Sequence, residues 1–372
     1  MLELSKSGYT DKEIMNQLHL KSGNRTVKYR YDLLNKQEIK IGELQSLGGK
    51  VGLTSLAQIK RRGNFSFKES ELNDVDWLND RVQPFFMLKM DDGNWIEYPL
   101  GIYLISSPTR LAKLNGVYRE VEAYDTSLVL LENKLSRRML IQQGTRYTVA
   151  IIRMLNDIGI WKINIPSYAA RIKTDKEYEI GVSILEIANE LLKEINYTSI
   201  CLDENGYITA NRYEAPDDRE AEYSYKDDEL SIIQKDTAIE ERDLFAIPNH
   251  FVIVATNPEE MPLVSRYSNT RKSSITSIPS RGRTIVDYRE LDSIANQEAL
   301  DDYTKRIAYE ASNTYGKFIF NTANMPHHSY LDCLYCEHTA LDISNKYIET
   351  SWEMDLVEGG TMSHTSRRVI QL

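Results

Sequence analysis

The segment that decides the fold class is residues 26–33, Thr-Val-Lys-Tyr-Arg-Tyr-Asp-Leu. Large apolar or aromatic side chains alternate here with polar ones, which is the two-residue period of a half-buried β-strand. Val, Thr and Tyr also favour strands. Because Val27, Tyr31 and Leu34 are spaced as on a helix as well, periodicity alone leaves a helix open. The stricter alternation predicts a strand.

Residues 10–20, just before this strand, have the pattern of a helix. Thr10 and Glu13 have the spacing of a capping box at its start. The apolar stripe that follows consists of Ile14, Met15 and Leu18. We therefore expect residues 1–23 to form an N-terminal helical arm.

The same region can also be interpreted as a helix-turn-helix. A turn at Ser22-Gly23 would then lead to a second helix from Arg25 that presents Lys28 and Arg30 to DNA. Under this alternative the protein is a DNA-binding regulator. The β-favouring residues and the net charge of −10 argue against it.

Short strand-like segments follow one another to about residue 125, with turn-forming residues between them. These turn signals are Gly48-Gly49, Gly63-Asn64, Asp91-Asp92-Gly93-Asn94 and Asn115-Gly116. Such a density of turns indicates antiparallel hairpins. The pattern predicts a small barrel or sandwich over residues 24–122.

Residues 123–215 differ because they contain helices. Ser183 and Glu186 form a second capping box at the start of an amphipathic stretch. Helices are expected at Thr145–Ile158 and Ile184–Ile195. Strand-like residues on both sides of Asn205-Gly206 predict a hairpin. We expect an α+β domain.

Residues 216–372 are predicted to form a second β-rich unit. Its parts are an acidic lead-in at 216–243, a core strand at Phe251–Ala255, a long mobile loop at 265–283, a helix at 293–315, and strands at 318–321, 330–337 and 348–356. The first and last thirds of the chain are thus alike, with a helix-containing middle between them. The predicted fold class is α+β, mostly β.

Composition excludes several classes of protein. A chain of 372 residues exceeds the size of a single core, so two to four domains are expected. With 41% hydrophobic and 27% charged residues, it is neither disordered nor of low complexity. The sequence has no run of about 18 apolar residues, so we expect no membrane insertion. Three cysteines are too few for a disulfide framework, which indicates assembly in a reducing cytoplasm.

Charge is distributed unevenly along the chain. Residues 1–62 carry 12 basic and 6 acidic side chains, whereas residues 203–243 carry 5 basic and 14 acidic ones. These stretches predict either two faces with opposite electrostatic preference or two solvated surfaces. The excess of tyrosine, with 23 Tyr against 8 Phe, suits half-buried faces at subunit contacts.

The strongest metal candidate in the sequence is the group Cys333, Cys336 and His338, with His327-His328 just before it. These residue types suit zinc. If residues 330–337 form a strand, however, the two cysteines point to opposite faces of the sheet. We therefore expect no metal here. Because the common catalytic and nucleotide-binding motifs are missing from the sequence, we also expect no catalytic residues and no cofactor.

Two groups of charged residues are candidates for an interface or a pore. The acidic candidates are Asp217, Asp218, Asp227 and Asp228, which lie in a polar run that suits a solvated surface. The basic candidates are Arg367 and Arg368. Together with His364 they could bind a phosphate, or they could face a partner subunit.

Several stretches, in the order in which they occur, carry a resemblance to a known family. They are Tyr29–Leu34, Ile59–Phe67, Glu97–Ile105, Glu122–Asp125, Gly144–Thr148, Ile247–Val254 and Trp352–Leu372. The chain resembles the baseplate or tail-tip hub proteins of tailed bacteriophages, a group that includes the T-even and Mu hubs and related prophage tail proteins. None of the stretches is a chemical motif, and their order along the chain is the specific part.

The resemblance implies two small antiparallel β-barrels separated by an α+β domain. Three copies would place six barrels in a pseudo-sixfold ring. This homotrimer would join the tail tube or distal tail protein above to a spike, fibre or lysin protein below. Genomic DNA would pass through the pore without specific binding, because an acidic lining repels its phosphates. The protein would be a structural component of the virion, assembled in the host cytoplasm.

Two other functions are kept as alternatives to a structural hub. The first is a tail-associated cell-wall hydrolase, since hubs of this family can carry a lysin. The chain ends at the family-like strand that contains Arg367 and Arg368, so we expect no added enzymatic domain. The second is the helix-turn-helix regulator.

Overall fold

The segment at residues 26–33 forms a strand, as its alternation predicts. The computed structural model describes residues 1–19, 25–69, 75–106, 109–114, 116–216, 218–227, 237–242, 245–256, 261–313 and 316–368. Within them, strand β1 spans Val27–Leu34. Because a strand occupies this segment, the second helix of a helix-turn-helix does not form there. The helix-turn-helix interpretation of the N-terminus is therefore wrong.

The rest of the first β unit is a series of strands in antiparallel pairs, as the turn signals predict. They are β2 (Lys40–Leu44), β3 (Ser46–Thr54), β4 (Arg61–Lys68), β5 (Arg81–Lys89), β6 (Trp95–Pro99), β7 (Tyr103–Ile105), β8 (Thr109–Lys113) and β9 (Gly116–Tyr124). The predicted turn at Asp91–Asn94 joins β5 to β6, and the amide of Met90 donates to the carbonyl oxygen of Asn94 at 2.8 Å.

Two of the predicted turns lie inside strands instead. Gly48-Gly49 belongs to β3 and Gly63-Asn64 belongs to β4. A Cβ atom on Gly49 would overlap the carbonyl oxygen of Asn64 and lie 2.8 Å from the ring of Phe65. A Cβ on Gly63 would lie 2.7 Å from the same ring. These glycines are therefore required because the buried Phe65 ring occupies the space above both strands.

The predicted N-terminal helix is α1, Asp11–His19, and its capping box is present. The amide and the hydroxyl of Thr10 both donate to the carboxylate of Glu13, at 2.8 and 2.7 Å. The apolar stripe does not project from the molecule as an arm. Ile14 and Leu18 are buried in the core of the first β unit. The helix is thus part of that core.

The middle of the chain contains the predicted helices and hairpin. Its elements are α2 (Ser127–Glu132), β10 (Met139–Ile141), α3 (Tyr147–Asp157), β11 (Ile163–Asn164), β12 (Lys176–Tyr178), α4 (Ile184–Glu194), β13 (Cys201–Leu202) and β14 (Ile208–Thr209). The second capping box is confirmed, because the Ser183 hydroxyl accepts from the amide of Glu186 and the Glu186 carboxylate accepts from the amide of Ser183.

The last part of the chain contains both strands and helices. Its strands and helices are β15 (Tyr223–Lys226), β16 (Ile239–Arg242), β17 (His250–Ala255), β18 (Leu263–Ser268), α5 (Ile278–Arg281), β19 (Val286–Leu291), α6 (Gln297–Asn313), β20 (Gly316–Ala323), β21 (Cys333–His338), β22 (Ile343–Asp355) and β23 (Thr361–Arg368). Strand β17 is the centre of a small sheet, with β18 antiparallel and β19 parallel to it. The predicted core strand and long helix are both confirmed.

The long loop predicted at 265–283 is wrong in part. Strand β18 extends to Ser268, and α5 occupies residues 278–281. Between them, short polar side chains replace the bonds of regular structure. Asn269 donates to the hydroxyl of Ser274 at 2.9 Å, and both residues are buried. The loop is therefore confined to residues 269–277, and its buried polar side chains hydrogen-bond to one another.

The β17–β19 sheet and α6 share a core with the middle of the chain. Phe251 of β17 and Leu300 of α6 are fully buried in the same apolar cluster as Leu191 of α4. The sequence predicted α6 as an insertion into the second β unit, without indicating its packing partner. The middle and the inserted segment therefore form one hydrophobic core.

The two β units meet in one large sheet. Its strand order is β16-β20-β23-β22-β3-β4-β9-β7-β5-β1-β2, and β22 of the last unit pairs antiparallel with β3 of the first. The path ends at β16 and β2 without closing in the described part of the chain, so the two-barrel arrangement stays a prediction.

The fold class is α+β, mostly β, as predicted from the sequence. Strands account for 42% of the chain and helices for 18%, and the sheets are largely antiparallel. Among the described residues, we find no helix that is both long and apolar enough to cross a membrane.

The glycines of the central sheet give a first prediction. Replacing Gly49 by Ala should lower the free energy of unfolding by about 1–3 kcal/mol, because the new methyl group collides with the backbone of β4 and the ring of Phe65. Gly42→Ala is the matched control, since a Cβ there meets nothing within 4 Å. Urea unfolding of both variants measures the difference, and equal effects would contradict the packing described.

Candidate functional site

The structure separates the residues that the sequence suggested as a metal group. Cys333 packs against Ile348, whereas Cys336 is buried in a different cluster with Phe318. His338 stands two residues after Cys336 on β21 and its ring lies 6.2 Å from that of Phe318. The prediction that the two cysteines point to opposite faces is confirmed, and the three side chains do not converge on one ion.

The three cysteine thiols of the chain are buried and chemically quiet. Burial raises the pKa of Cys336 well above its usual range, and it raises the pKa of Cys201 to about 12. The pKa of Cys333 is also raised by burial. Since the thiolate is the reactive form, none of these residues is suited to nucleophilic or redox chemistry in the folded chain.

The acidic candidates are in different situations. Asp217 and Asp228 lie outside the described residues. Asp218 is exposed. Asp227 is engaged, because its carboxylate accepts from the amide and from the hydroxyl of Thr339, both at 2.9 Å. Asp227 therefore holds the turn that follows β21, and Asp218 is the described candidate that faces solvent.

The basic candidates lie at the end of β23, but they do not form a phosphate site with His364. The His364 ring is fully buried and bonded within the protein, so it is closed to a ligand. Arg368 donates to the side-chain oxygen of Asn345 at 2.9 Å on the neighbouring strand. The phosphate interpretation is wrong for His364, and the interface role of Arg367 and Arg368 stays a prediction.

A cleft of about 560 Å³ lies where the middle of the chain meets the second β unit. Its basic lining residues are Lys60, Arg219, Arg289, Arg306 and Arg367. Two of them hold neighbouring segments: Arg219 donates to the carbonyl oxygen of Leu331, and Arg306 donates to that of Tyr197, both at 2.8 Å. Two of the basic side chains in the cleft therefore connect separate segments of the chain by hydrogen bonds.

Sequence reasoning missed a buried polar cluster between β22, β23 and the segment that precedes β21. The Glu349 carboxylate bridges two imidazoles, with Nδ1 of His328 at 2.5 Å and Nδ1 of His364 at 2.6 Å. The outer nitrogens are also held. Nε2 of His328 lies 2.5 Å from the Tyr225 hydroxyl, and Nε2 of His364 lies 2.8 Å from the Thr322 hydroxyl. All five residues are buried.

Burial dominates the electrostatics of this cluster. It raises the pKa of Glu349 to about 7, although a hydrogen bond from His364 acts in the opposite direction. It lowers the pKa of His328 to about 4 and also lowers the pKa of His364. A signal existed in the sequence. His364 lies between Met362 and Ser366 at the inward positions of a strand, where a polar residue requires a buried partner.

Comparison with solved structures finds proteins whose fold is similar to that of this chain. The tail protein from Neisseria meningitidis MC58 superposes with a TM-score of 0.64 at 9% identity, covering 92% of this chain and 97% of that one. This chain therefore shares the fold of that tail protein.

Two further tail proteins are also similar in fold to this chain. The 43 kDa tail protein of prophage MuSo2 from Shewanella oneidensis has a TM-score of 0.61 at 9% identity, over 91% of this chain and 98% of that one. Prophage tail protein gp18 from Listeria monocytogenes EGD-e has a TM-score of 0.56 at 9% identity, over 90% and 94%. The resemblance to phage tail proteins is thus confirmed at the level of the fold. No protein-family model and no curated protein sequence matches the chain.

The buried thiols give a second prediction. In the folded chain Ellman's reagent should react with none of the three cysteines on the timescale on which all three react in guanidinium chloride, because burial both raises their pKa values and excludes the reagent. Rapid labelling of the native chain would contradict their placement in the core.

Proposed function

We propose that this protein is a structural hub of a phage tail or tail-like particle. Three copies form a ring that joins the tail tube or distal tail protein on one side to a spike, fibre or lysin protein on the other. The observation that carries the proposal is the similarity in fold to three tail proteins, two of them from prophages, over at least 90% of this chain in each case. The order of hub-like stretches in the sequence supports the same role.

The sheet supports a ring built from two β units per chain. The β3–β22 ladder sets Leu53 beside Trp352 and Val51 beside Met354, and these four side chains are buried. The two units are therefore fixed side by side in one chain. Three chains related by a threefold axis would supply six such units, which matches a sixfold tube above and a threefold partner below.

The ends of the sheet are suited to contacts between copies. In the described part of the chain, β2 pairs only with β1, and β16 pairs only with β20. An unpaired strand edge is a template for pairing with another chain. Apolar side chains are exposed at both ends, with Ile41 52% exposed on β2 and Ile239 53% exposed on β16. We place the β2 edge of one copy against the β16 edge of the next, a head-to-tail contact that closes into a ring.

A structural role also accounts for the chemistry of the interior. The titratable cluster around Glu349 is buried, so it is closed to a polymeric substrate. We accordingly assign the chain no catalysis. Its place is the virion, in the tail baseplate or tip.

Oligomeric mass tests the ring. Light scattering should give three times the 43.0 kDa chain mass for the wild type. Ile41→Asp places a charge on the β2 edge and should shift the mass toward that of one chain, because burying an unpaired carboxylate opposes the contact. Ile180→Asp is the control: Ile180 is 63% exposed in the middle of the chain, away from both edges.

The outcomes separate two claims. A wild-type protein that stays at 43.0 kDa at every concentration would contradict the ring. A trimer that is unaffected by Ile41→Asp would retain the ring and overturn the edge contact.

The passage of DNA through the ring gives a further prediction. In a mobility-shift assay, duplex DNA should not be retained by the wild type, because exposed acids such as Asp218 and Glu220 repel phosphates. A variant with both residues changed to Lys should gain weak binding that disappears as salt is raised. Salt-dependent binding by the wild type at nanomolar concentration would contradict the acidic path and favour a DNA-binding function.

A further inference from the structure

Three ionisable side chains from separate parts of the second β unit converge in its core. His328 comes from the segment between β20 and β21, Glu349 from β22 and His364 from β23. Their ligand atoms all lie within 4.8 Å of one another. Each residue is at most 2% exposed. Two imidazoles and one carboxylate are a donor set that first-row transition metals, zinc above all, bind in proteins.

The hydrogen bonds of the cluster leave a gap between Nδ1 of His364 and the Glu349 carboxylate that must hold a proton or a metal ion. Thr322 has a single hydroxyl proton, and its Oγ1 lies 2.8 Å from the carbonyl oxygen of Ala323, which can only accept. The Thr322 oxygen then accepts from Nε2–H of His364.

A neutral imidazole carries only one N–H, so Nδ1 of His364 turns a lone pair toward the Glu349 oxygen 2.6 Å away. Two acceptors at this distance repel unless a proton or a metal ion lies between them.

A metal ion at this position would also balance the negative charge buried around it. A second buried carboxylate, Asp332, lies 3.7 Å from Nδ1 of His328 and is 1% exposed. The one basic group ion-paired with Asp332 in the described residues, apart from the histidines, is the amino group of Met1, 3.0 Å away. Within the part of the chain that the structure describes, Glu349 is ion-paired with the two imidazoles. Buried carboxylates require compensation, and burial disfavours an imidazolium.

We propose that Nδ1 of His328, Nδ1 of His364 and the Glu349 carboxylate bind one divalent transition metal ion of the zinc class, and that the nearby Asp332 carboxylate, 3.7 Å from Nδ1 of His328, moves inward as the fourth ligand. Zinc bonds of about 2.0–2.1 Å place tetrahedral ligand atoms about 3.3 Å apart. The contacts of 2.5 and 2.6 Å to Glu349 are shorter than that spacing, so binding of the ion requires the three side chains to move apart.

The groups behind the ligands are those of a metal site. Metal-binding histidines use their other ring nitrogen to bond an outer partner that fixes the ring, and here Tyr225 and Thr322 do so. The ion ties the segment before β21 to β22 and β23, so its role is structural. Because the site is sealed, the ion enters as the chain folds.

Refolding tests the site directly. The purified chain is unfolded in guanidinium chloride with a chelator and refolded either with zinc ion or with chelator, then dialysed and analysed by plasma mass spectrometry. We expect about one zinc per chain after refolding with zinc, and a higher melting temperature than after refolding with chelator. Refolding with cobalt(II) should give the visible absorption of a four-coordinate site.

Variants locate the ion. Glu349→Gln and His364→Gln should each lower the metal content at least about tenfold. His338→Gln is the matched control, because His338 is equally buried in the same sheet but outside the ligand set. It should keep the metal.

Two results would overturn the site. One is a wild type that refolds without bound zinc, without a cobalt spectrum and with an unchanged melting temperature. The other is loss of metal in His338→Gln as large as in the ligand variants. If the ligand variants fail to fold, the cobalt spectrum of the wild type decides.

Discussion

The antiparallel ladder between β3 and β22 joins the first β unit to the second. It pairs residues near the two ends of the chain, so its formation closes a loop that contains nearly all the other elements. Closing so long a loop costs conformational entropy, which the burial of Val51 and Trp352 in the shared core offsets. Close approach is possible because Gly52 faces the backbone of β22, where a Cβ would lie 2.9 Å from the carbonyl oxygen of Trp352.

Because of that ladder, the middle of the chain leaves the sheet after β9 and the chain returns to it later. Arg61 anchors the middle of the chain to the first β unit. Arg61 is 1% exposed at the start of β4. Its Nε donates to the carbonyl oxygen of Leu202 at 2.8 Å, and its amide donates to Asp125 at 3.0 Å. Its guanidinium also lies over the ring of Trp352. One buried cation therefore connects the first β unit, the middle and the second β unit.

Local signals in the sequence predicted local structure well. Both capping boxes, at Thr10 and at Ser183, mark real helix starts because the bonds involved span only three residues. The alternation at residues 27–34 gave a strand for a similar reason. Such local patterns predict where helices and strands lie and the fold class. Together with the order of the hub-like stretches, they predicted the fold of a tail protein.

Features that depend on contacts between residues far apart in the sequence were not predicted correctly. Gly48-Gly49 resembles a turn, and only the position of Phe65 across the ladder shows why glycine is needed there. His328, Glu349 and His364 come together through the pairing of β22 with β23, which no local pattern specifies. The cysteines near them were the more conspicuous residues in the sequence, yet the pleat of β21 separates their side chains.

We propose that two joined β units per chain build a threefold ring with sixfold character. Cryo-electron microscopy of the purified oligomer tests it most directly. We predict a ring with threefold symmetry, six β units around an open channel, and the edge of β2 in one copy against that of β16 in the next. A twofold dimer, an open filament or a ring in which the β units do not line the channel would contradict the account.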